Sequence, residues 1–211
     1  MKNNYRYIIW DWNGTLFNDV SLCVKIMNDL LKKENVPLIT QEKYKQIFDF
    51  PVKNYYQKLG FDFKKSSFEK LGLEFINEYN KKRFRCNLNS GVKKLLKFFY
   101  AQNLKQFVLS AREHTELVND LKYFKINHFF EDVTGLSNYY AAGKTELGRD
   151  LIKKHNLNPE NCLMIGDTLH DVEVANDLGI DIILFSGGHQ SKERLLSSET
   201  NVFDDFNNLQ V

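Results

Sequence analysis

Near the start of the chain stands the stretch Tyr7-Ile8-Ile9-Trp10-Asp11-Trp12-Asn13-Gly14-Thr15, an apolar run that ends at a carboxylate. A short run of β-branched and aromatic residues is typical of a buried strand. In open α/β sheets, ligands bind outside the carboxyl ends of the strands. The stretch therefore predicts a buried strand that delivers the side chain of Asp11 to a ligand site.

Four further apolar runs with the same character follow along the chain. Each is followed by polar or small residues, and helical patterns separate them, which together favour parallel βαβ units. We therefore predict an α/β fold with a mostly parallel, Rossmann-like sheet. The four runs are Gln106–Leu109, Phe129-Phe130 with Val133, Cys162–Ile165 and Ile180–Phe185.

About 95 residues separate the first run from the second, which is far more than one crossover needs. Apolar residues recur there at helical spacing, and no strand-like alternation stands out. We predict a helical cap domain at residues 18–88, inserted into a core domain of residues 1–17 and 89–211. The two apolar stripes are Val20, Val24, Met27 and Leu31, and Phe68, Leu71, Phe75 and Tyr79.

Charge and composition exclude several classes of protein. The 211 residues carry 29 Lys and Arg against 27 Asp and Glu, and 43% are hydrophobic. A net charge of +2 argues against nucleic-acid binding, since such proteins tend to be strongly basic.

No run approaches the roughly 18 apolar residues of a membrane-spanning helix, and no signal peptide is recognisable. The three widely spaced cysteines are expected to be free thiols. We expect a cytoplasmic protein without a nucleic-acid or membrane partner; no oligomeric state follows from the sequence.

Chemically active side chains fall just past the predicted strands. Asp11 can act as a carboxylate nucleophile, and with Asp167 it offers the hard oxygens that Mg²⁺ prefers. Lys144 can neutralise the charge on a phosphoryl group in the transition state. Each residue alone fits a structural role, such as a helix N-cap for Asp11. Their joint occurrence at strand ends favours phosphoryl chemistry. Ser110 and the backbone N–H groups near Gly14, Thr15 and Ala111 are candidates for binding phosphoryl oxygens.

These features resemble the haloacid dehalogenase superfamily of hydrolases, in the branch similar to phosphoglycolate phosphatase. The family pattern has an apolar strand followed by DxDGT, a strand that ends in Ser or Thr, a Lys, and a strand that ends in GDxxxD. A helical cap lies between the first two motifs. The corresponding positions here are residues 11–15, Ser110, Lys144, and Asp167 with Asp171.

The resemblance implies Mg²⁺-dependent hydrolysis of a small phosphorylated metabolite through an aspartyl phosphate. Asp11 would be both nucleophile and metal ligand, and the backbone carbonyl of Asn13 would also bind the metal. Asp167 would bind it directly, and Asp171 would support the metal waters or Lys144. Thr15 and Ser110 would hold the phosphate, and Lys144 would steady Asp11 and the phosphoryl group.

Asn13 departs from the family pattern, which has a second Asp at this position as general acid and base. An amide cannot transfer that proton at neutral pH. A working phosphatase is then expected to act on leaving groups that need little protonation, or to use His114, His170 or His189 as donor. A phosphate-ligand sensor with weakened catalysis, a phosphonatase-like hydrolase and an engineered substitution are the alternatives.

Overall fold

The computed structural model describes residues 5–137 and 143–209. Its strands alternate with helices along most of this part of the chain, as a βαβ architecture requires. The strands are β1 Tyr7–Trp10, β2 Phe17–Asn18, β3 Asn87–Leu88, β4 Lys105–Glu113, β5 Asp132–Leu136, β6 Cys162–Gly166, β7 Asp181–Phe185 and β8 Asn201–Phe203. The α-helices are α1 Val20–Lys33, α2 Gln41–Ile47, α3 Val52–Leu59, α4 Phe68–Lys82, α5 Val92–Ala101, α6 His114–Tyr123, α7 Lys144–Lys154, α8 Leu169–Leu178 and α9 Lys192–Leu196.

Six strands form one parallel sheet in the order β5-β4-β1-β6-β7-β8. The predicted mostly parallel α/β fold is confirmed. β1 lies in the interior of the sheet, paired with β4 on one side and β6 on the other. Because all six strands are parallel, their carboxyl ends lie along one edge, where Asp11 and Asp167 follow β1 and β6.

The side chains of β1 alternate between the two faces of the sheet, as the pleat of a strand requires. Ile8 and Trp10 belong to one buried apolar cluster, whereas Ile9 belongs to another. All three are fully buried. Burial on both faces explains why the sequence of β1 is continuously apolar instead of alternating.

Helices α1 to α4 lie between β2 and β3, the two strands of a short antiparallel ribbon. The ribbon brings the chain back beside the point where it left the sheet. α1 packs against α4. All four residues of the α1 stripe are buried, whereas in the α4 stripe Leu71 and Tyr79 are buried and Phe68 and Phe75 are half-buried. The segment also touches the loop after β7, where the N–H of Ser191 donates to the carbonyl of Lys45 at 3.1 Å.

Several element boundaries differ from the sequence prediction. β4 continues past Ser110 to Glu113, because it pairs again with β5 at Glu113 after a register shift. The third predicted run was placed too early, since Phe129 lies in a 3₁₀ turn and β5 begins at Asp132. No helix among the described residues is both long and apolar enough to cross a lipid bilayer.

Candidate active site

The carboxyl end of β1 and the first turns of α7 and α8 bring Asp11, Lys144 and Asp171 together, with Lys144 in contact with both carboxylates. Lys144 Nζ donates to Asp11 Oδ1 at 2.5 Å and to Asp171 Oδ1 at 2.6 Å. The lysine side chain is 3% exposed, whereas Asp11 keeps 10% of its side chain exposed. The least-covered of the three groups is therefore the carboxylate predicted to act as the nucleophile.

Burial and charge act against each other in this cluster. Burial raises the pKa of Asp11 well above its usual value, although the Lys144 ammonium opposes the shift. Burial alone would lower the pKa of Lys144, but Asp11 and Asp171 outweigh it and raise this pKa. Lys144 is therefore a fixed cation at neutral pH, one positive charge among several buried carboxylates.

Asp171 holds Lys144 in place from the first turn of α8. Its Oδ2 accepts hydrogen bonds from the N–H groups of Asp167 and Thr168 and from the Thr168 hydroxyl, which form a capping box. Burial alone would raise the pKa of Asp171, but Lys144 and these donors lower it. Both oxygens are thus engaged, one with Lys144 and the other with the start of α8.

Asp167 directly follows β6 and is fully buried. Its Oδ1 accepts from the Thr15 hydroxyl at 2.7 Å, and its Oδ2 accepts from the His189 N–H at 2.6 Å. Burial raises its pKa to about 6. Two glycines leave room for it: a Cβ at Gly14 or Gly188 would stand 2.2 or 2.1 Å from Oδ2. Gly14 also has a φ of +76°, which disfavours any side chain.

Asp11, Asp167 and Asp171 offer carboxylate oxygens within 4.8 Å of one another, and all three residues are buried. Such a set of hard oxygens fits a divalent cation. Gly14 and Gly188 leave space for the Asp167 carboxylate that a side chain at either position would fill. The residues present therefore fit the metal that the resemblance implies.

Asn13 is held by a network that the sequence did not reveal. Its Nδ2 donates to Asp19 Oδ2 at 2.7 Å and to the Tyr79 hydroxyl at 2.6 Å. The Tyr79 hydroxyl also donates to Asp19 Oδ2, at 2.7 Å. The Gly14 N–H donates to Asp19 Oδ1 at 3.0 Å. The structure therefore places a donor at position 13 between two acceptors.

His189 completes this network on the far side of Asp19. Its Nε2 lies 3.1 Å from Asp19 Oδ1, and its Nδ1 lies 2.8 Å from the Tyr44 hydroxyl. Burial lowers the pKa of His189, but Asp19 outweighs it and raises this pKa to about 8. Burial raises the pKa of Asp19, but His189 and the bonds from Tyr79 and Asn13 lower it. The two form a buried ion pair.

A cavity of about 270 Å³ opens above Asp11, between the sheet edge and the helical segment. Of the predicted phosphate-binding residues, Ser110, Ala111 and Lys144 line it. Gly14 and Thr15 are not among the lining residues: the Gly14 N–H donates to Asp19 and to the Phe17 carbonyl, and Thr15 bonds to Asp167.

The three candidate histidine donors are placed differently. His170 and His189 line the cavity, and His170 stacks on Phe50 with ring centroids 4.7 Å apart. His114 is exposed at the first residue of α6 and is not among the lining residues. The structure therefore brings two of the three histidines to the site.

Comparison with known proteins gives a family match over most of the chain. The model of the haloacid dehalogenase-like hydrolases matches residues 8–185. The tyrosine-protein kinase PtkA of Mycobacterium tuberculosis is 22% identical over 199 residues, 93% of this chain and 67% of PtkA. The pyrophosphatase PpaX of Listeria welshimeri is 23% identical over 182 residues, 84% and 81% of the two chains. A 5′-nucleotidase of Pseudomonas aeruginosa is 24% identical over 199 residues, 90% and 87% of the two chains.

Solved structures share the fold at low sequence identity. A haloacid dehalogenase-like family hydrolase from Streptococcus pneumoniae has a TM-score of 0.80 at 20% identity, covering 94% of this chain and 92% of its own. A protein described as a predicted phosphoglycolate phosphatase from Haemophilus somnus has a TM-score of 0.79 at 20% identity, covering 98% and 96%.

Proposed function

Because the chain belongs to the haloacid dehalogenase-like hydrolases, we propose that it is a Mg²⁺-dependent phosphatase that hydrolyses a phosphomonoester through an aspartyl phosphate at Asp11. The observation that carries the proposal is the Asp11 carboxylate, held by Lys144 at the edge of the cavity between the sheet and the helical segment. Relatives named as a pyrophosphatase and a 5′-nucleotidase also support phosphoryl transfer to water.

In the proposed reaction, one carboxylate oxygen of Asp11 attacks phosphorus while the bond to the leaving oxygen breaks. Lys144 lies against this carboxylate and offsets the negative charge that it shares with the phosphoryl group. Ser110 and the backbone at Ala111 line the same cavity and are the proposed ligands of the phosphoryl oxygens. Water then attacks phosphorus, which regenerates the Asp11 carboxylate and releases phosphate.

Asp11, Asp167 and the backbone carbonyl of Asn13 are the proposed ligands of Mg²⁺. When bound, the ion supplies positive charge that lets a phosphate dianion approach a carboxylate. We propose that Asp171, which accepts from Lys144 with one oxygen and caps α8 with the other, positions Lys144 instead of binding the ion. Residues 18–88 are the proposed cap, which contacts the loop after β7 and would limit the access of water to the cavity during turnover.

Asn13 cannot protonate the leaving group, so the proposed enzyme handles that proton differently from relatives with Asp at this position. His170 and His189 are the candidate donors that line the cavity. Phosphonate cleavage through a cap lysine is disfavoured, because Lys144 is the lysine that lines the cavity in the described part of the chain. The alternative is a sensor that binds phosphate without turnover, and a turnover assay distinguishes it from a phosphatase.

The test is turnover of acetyl phosphate and 4-nitrophenyl phosphate with Mg²⁺, followed as phosphate release. We expect turnover that Asp11→Asn abolishes and that a chelator removes. Binding of phosphate without turnover of either compound would support the sensor. Activity that persists in Asp11→Asn would exclude the proposed nucleophile. A rise of about 10²–10⁴-fold in Asn13→Asp, the usual contribution of general acid–base catalysis, would show that the native chain is catalytically impaired.

A further inference from the structure

The walls of the cavity above Asp11 are mostly apolar. They come from the helical segment, and their side chains pack around the space instead of offering polar groups to it. A volume of about 270 Å³ lies just below the roughly 300–1,000 Å³ typical of small-molecule sites. The cavity therefore suits one compact apolar group beside a phosphate. The wall includes Phe48, Phe50, Val52, Phe68, Phe75 and Ile76.

The basic side chains that line the cavity, among the described residues, are all bonded to carboxylates. The pairs are Lys144 with Asp11 and Asp171, Arg112 with Asp120, His170 with Glu173, and His189 with Asp19. Arg112 is additionally covered by the Tyr79 ring, 5.0 Å from its guanidinium carbon. Among the described residues that line the cavity, no cation is therefore left without a carboxylate to pair with a second anionic group on a substrate.

Two more carboxylates disfavour a substrate with a second anionic group. Glu69 and Glu113 line the cavity as well. A carboxylate on the leaving group, as in phosphoglycolate, would enter an apolar space that carries negative charge at its edge. Burying an unpaired charge is costly, so such substrates are disfavoured.

Asn13 restricts the leaving group in a second, independent way. Its amide is fixed between Asp19 and Tyr79 and carries no transferable proton. A leaving group that departs as a stable anion needs little protonation. A phenol ionises near pH 10, whereas water, the simplest model for an alkyl alcohol, ionises at about 15.7. Proton chemistry and cavity polarity thus favour the same class of compound.

We propose that this site takes phosphate monoesters of uncharged apolar phenols, and not phosphoglycolate. The proposal rests on the phosphatase proposed above. The bond from phosphorus to the phenolic oxygen breaks as the bond to Asp11 forms, and the phenolate leaves with the electron pair and takes a proton from solvent. Water then attacks phosphorus; its protons stay with the phosphate and the solvent, and Asp11 is released as a carboxylate.

The experiment compares kcat/KM for 1-naphthyl phosphate, phosphoglycolate and acetyl phosphate with Mg²⁺. We expect 1-naphthyl phosphate to exceed phosphoglycolate by at least about 100-fold, which corresponds to nearly 3 kcal/mol. Equal or greater turnover of phosphoglycolate would overturn the inference. If phosphoglycolate is matched while acetyl phosphate still requires Asp11, the phosphatase stands and only the substrate class fails. No turnover of any compound would overturn both.

Two exposed leucines of the helical segment provide a matched pair of variants. Leu73 is 59% exposed and lines the cavity, whereas Leu38 is 61% exposed and is not among the lining residues. Leu73→Arg adds a cation at the cavity, and we expect it to lower the preference for 1-naphthyl phosphate over phosphoglycolate at least tenfold. Leu38→Arg adds the same charge elsewhere and should leave this ratio unchanged. Equal ratios in both variants would contradict the charge argument.

Discussion

Replacing Asn13 by Asp tests the network that surrounds this residue. The amide nitrogen lies 2.7 Å from Asp19 Oδ2, so Asn13→Asp would set one carboxylate against another. Two unit charges about 3 Å apart repel by about 5 kcal/mol at an effective dielectric constant of about 20. Taking up a proton removes this repulsion, so the new carboxyl should have a raised pKa in the folded protein.

The stability lost in Asn13→Asp cannot exceed the free energy needed to protonate the new carboxyl group. From an unfolded pKa near 3.9, proton uptake costs about 4 kcal/mol at pH 7 and about 1.5 kcal/mol at pH 5. The His189 imidazolium on the far oxygen of Asp19 weakens the repulsion, so we expect a loss of about 2–4 kcal/mol at pH 7. Because the pKa of the new carboxyl is higher in the folded than in the unfolded protein, the free energy of unfolding falls as pH rises above the unfolded pKa.

The assay is urea unfolding of the native chain and Asn13→Asp between pH 5 and pH 8. Asn13→Ala is the control, because it loses the same two hydrogen bonds without adding a titratable group. We expect the difference between native and Asn13→Asp to grow with pH, whereas the difference for Asn13→Ala stays constant. A difference for Asn13→Asp that does not depend on pH would refute the reasoning.

Three further substitutions address other groups in or beside the site. Lys144→Met should cost about 3–5 kcal/mol in urea unfolding without Mg²⁺, because it leaves Asp11 and Asp171 without their cation; no measurable loss would contradict the pairing. The pKa of His189, raised to about 8 from about 6.5, contributes stability that is present below pH 6.5 and lost as pH rises through 8. His189→Gln should remove that slope from a pH series of thermal melts, whereas a slope that remains would assign it to another group. Tyr55→Phe should leave the free energy of unfolding unchanged or higher, since the buried Tyr55 hydroxyl has no hydrogen-bond partner among the described residues; a loss above about 1 kcal/mol would reveal one.

The sheet strands that carry the site could be predicted because burial makes them continuously apolar. β1 and β6 lie inside the sheet, so their runs stand out from the polar residues that follow. β8 lies at the edge and its residues are only partly buried or exposed, which weakens the same signal. β2 and β3 have two residues each, too few to show alternation.

The residues that meet at the site could be predicted only where strand ends gather them. Asp11, Lys144 and Asp171 follow that rule. Asp19 and His189 are 170 positions apart, and neither follows a pattern that would pair them. Their contact depends on how the helical segment meets the loop after β7. The network that holds Asn13 therefore emerges only from the three-dimensional arrangement.

The central claim is that Asp11 carries the phosphoryl group during turnover. The direct measurement is mass spectrometry of peptides from the enzyme, quenched in acid during turnover of 1-naphthyl phosphate or acetyl phosphate with Mg²⁺. We predict a phosphorylated peptide that contains Asp11, with the modification at this residue and absent from Asp11→Asn. Steady turnover with phosphate on another residue, or with no phosphorylated peptide at any quench time, would contradict the account.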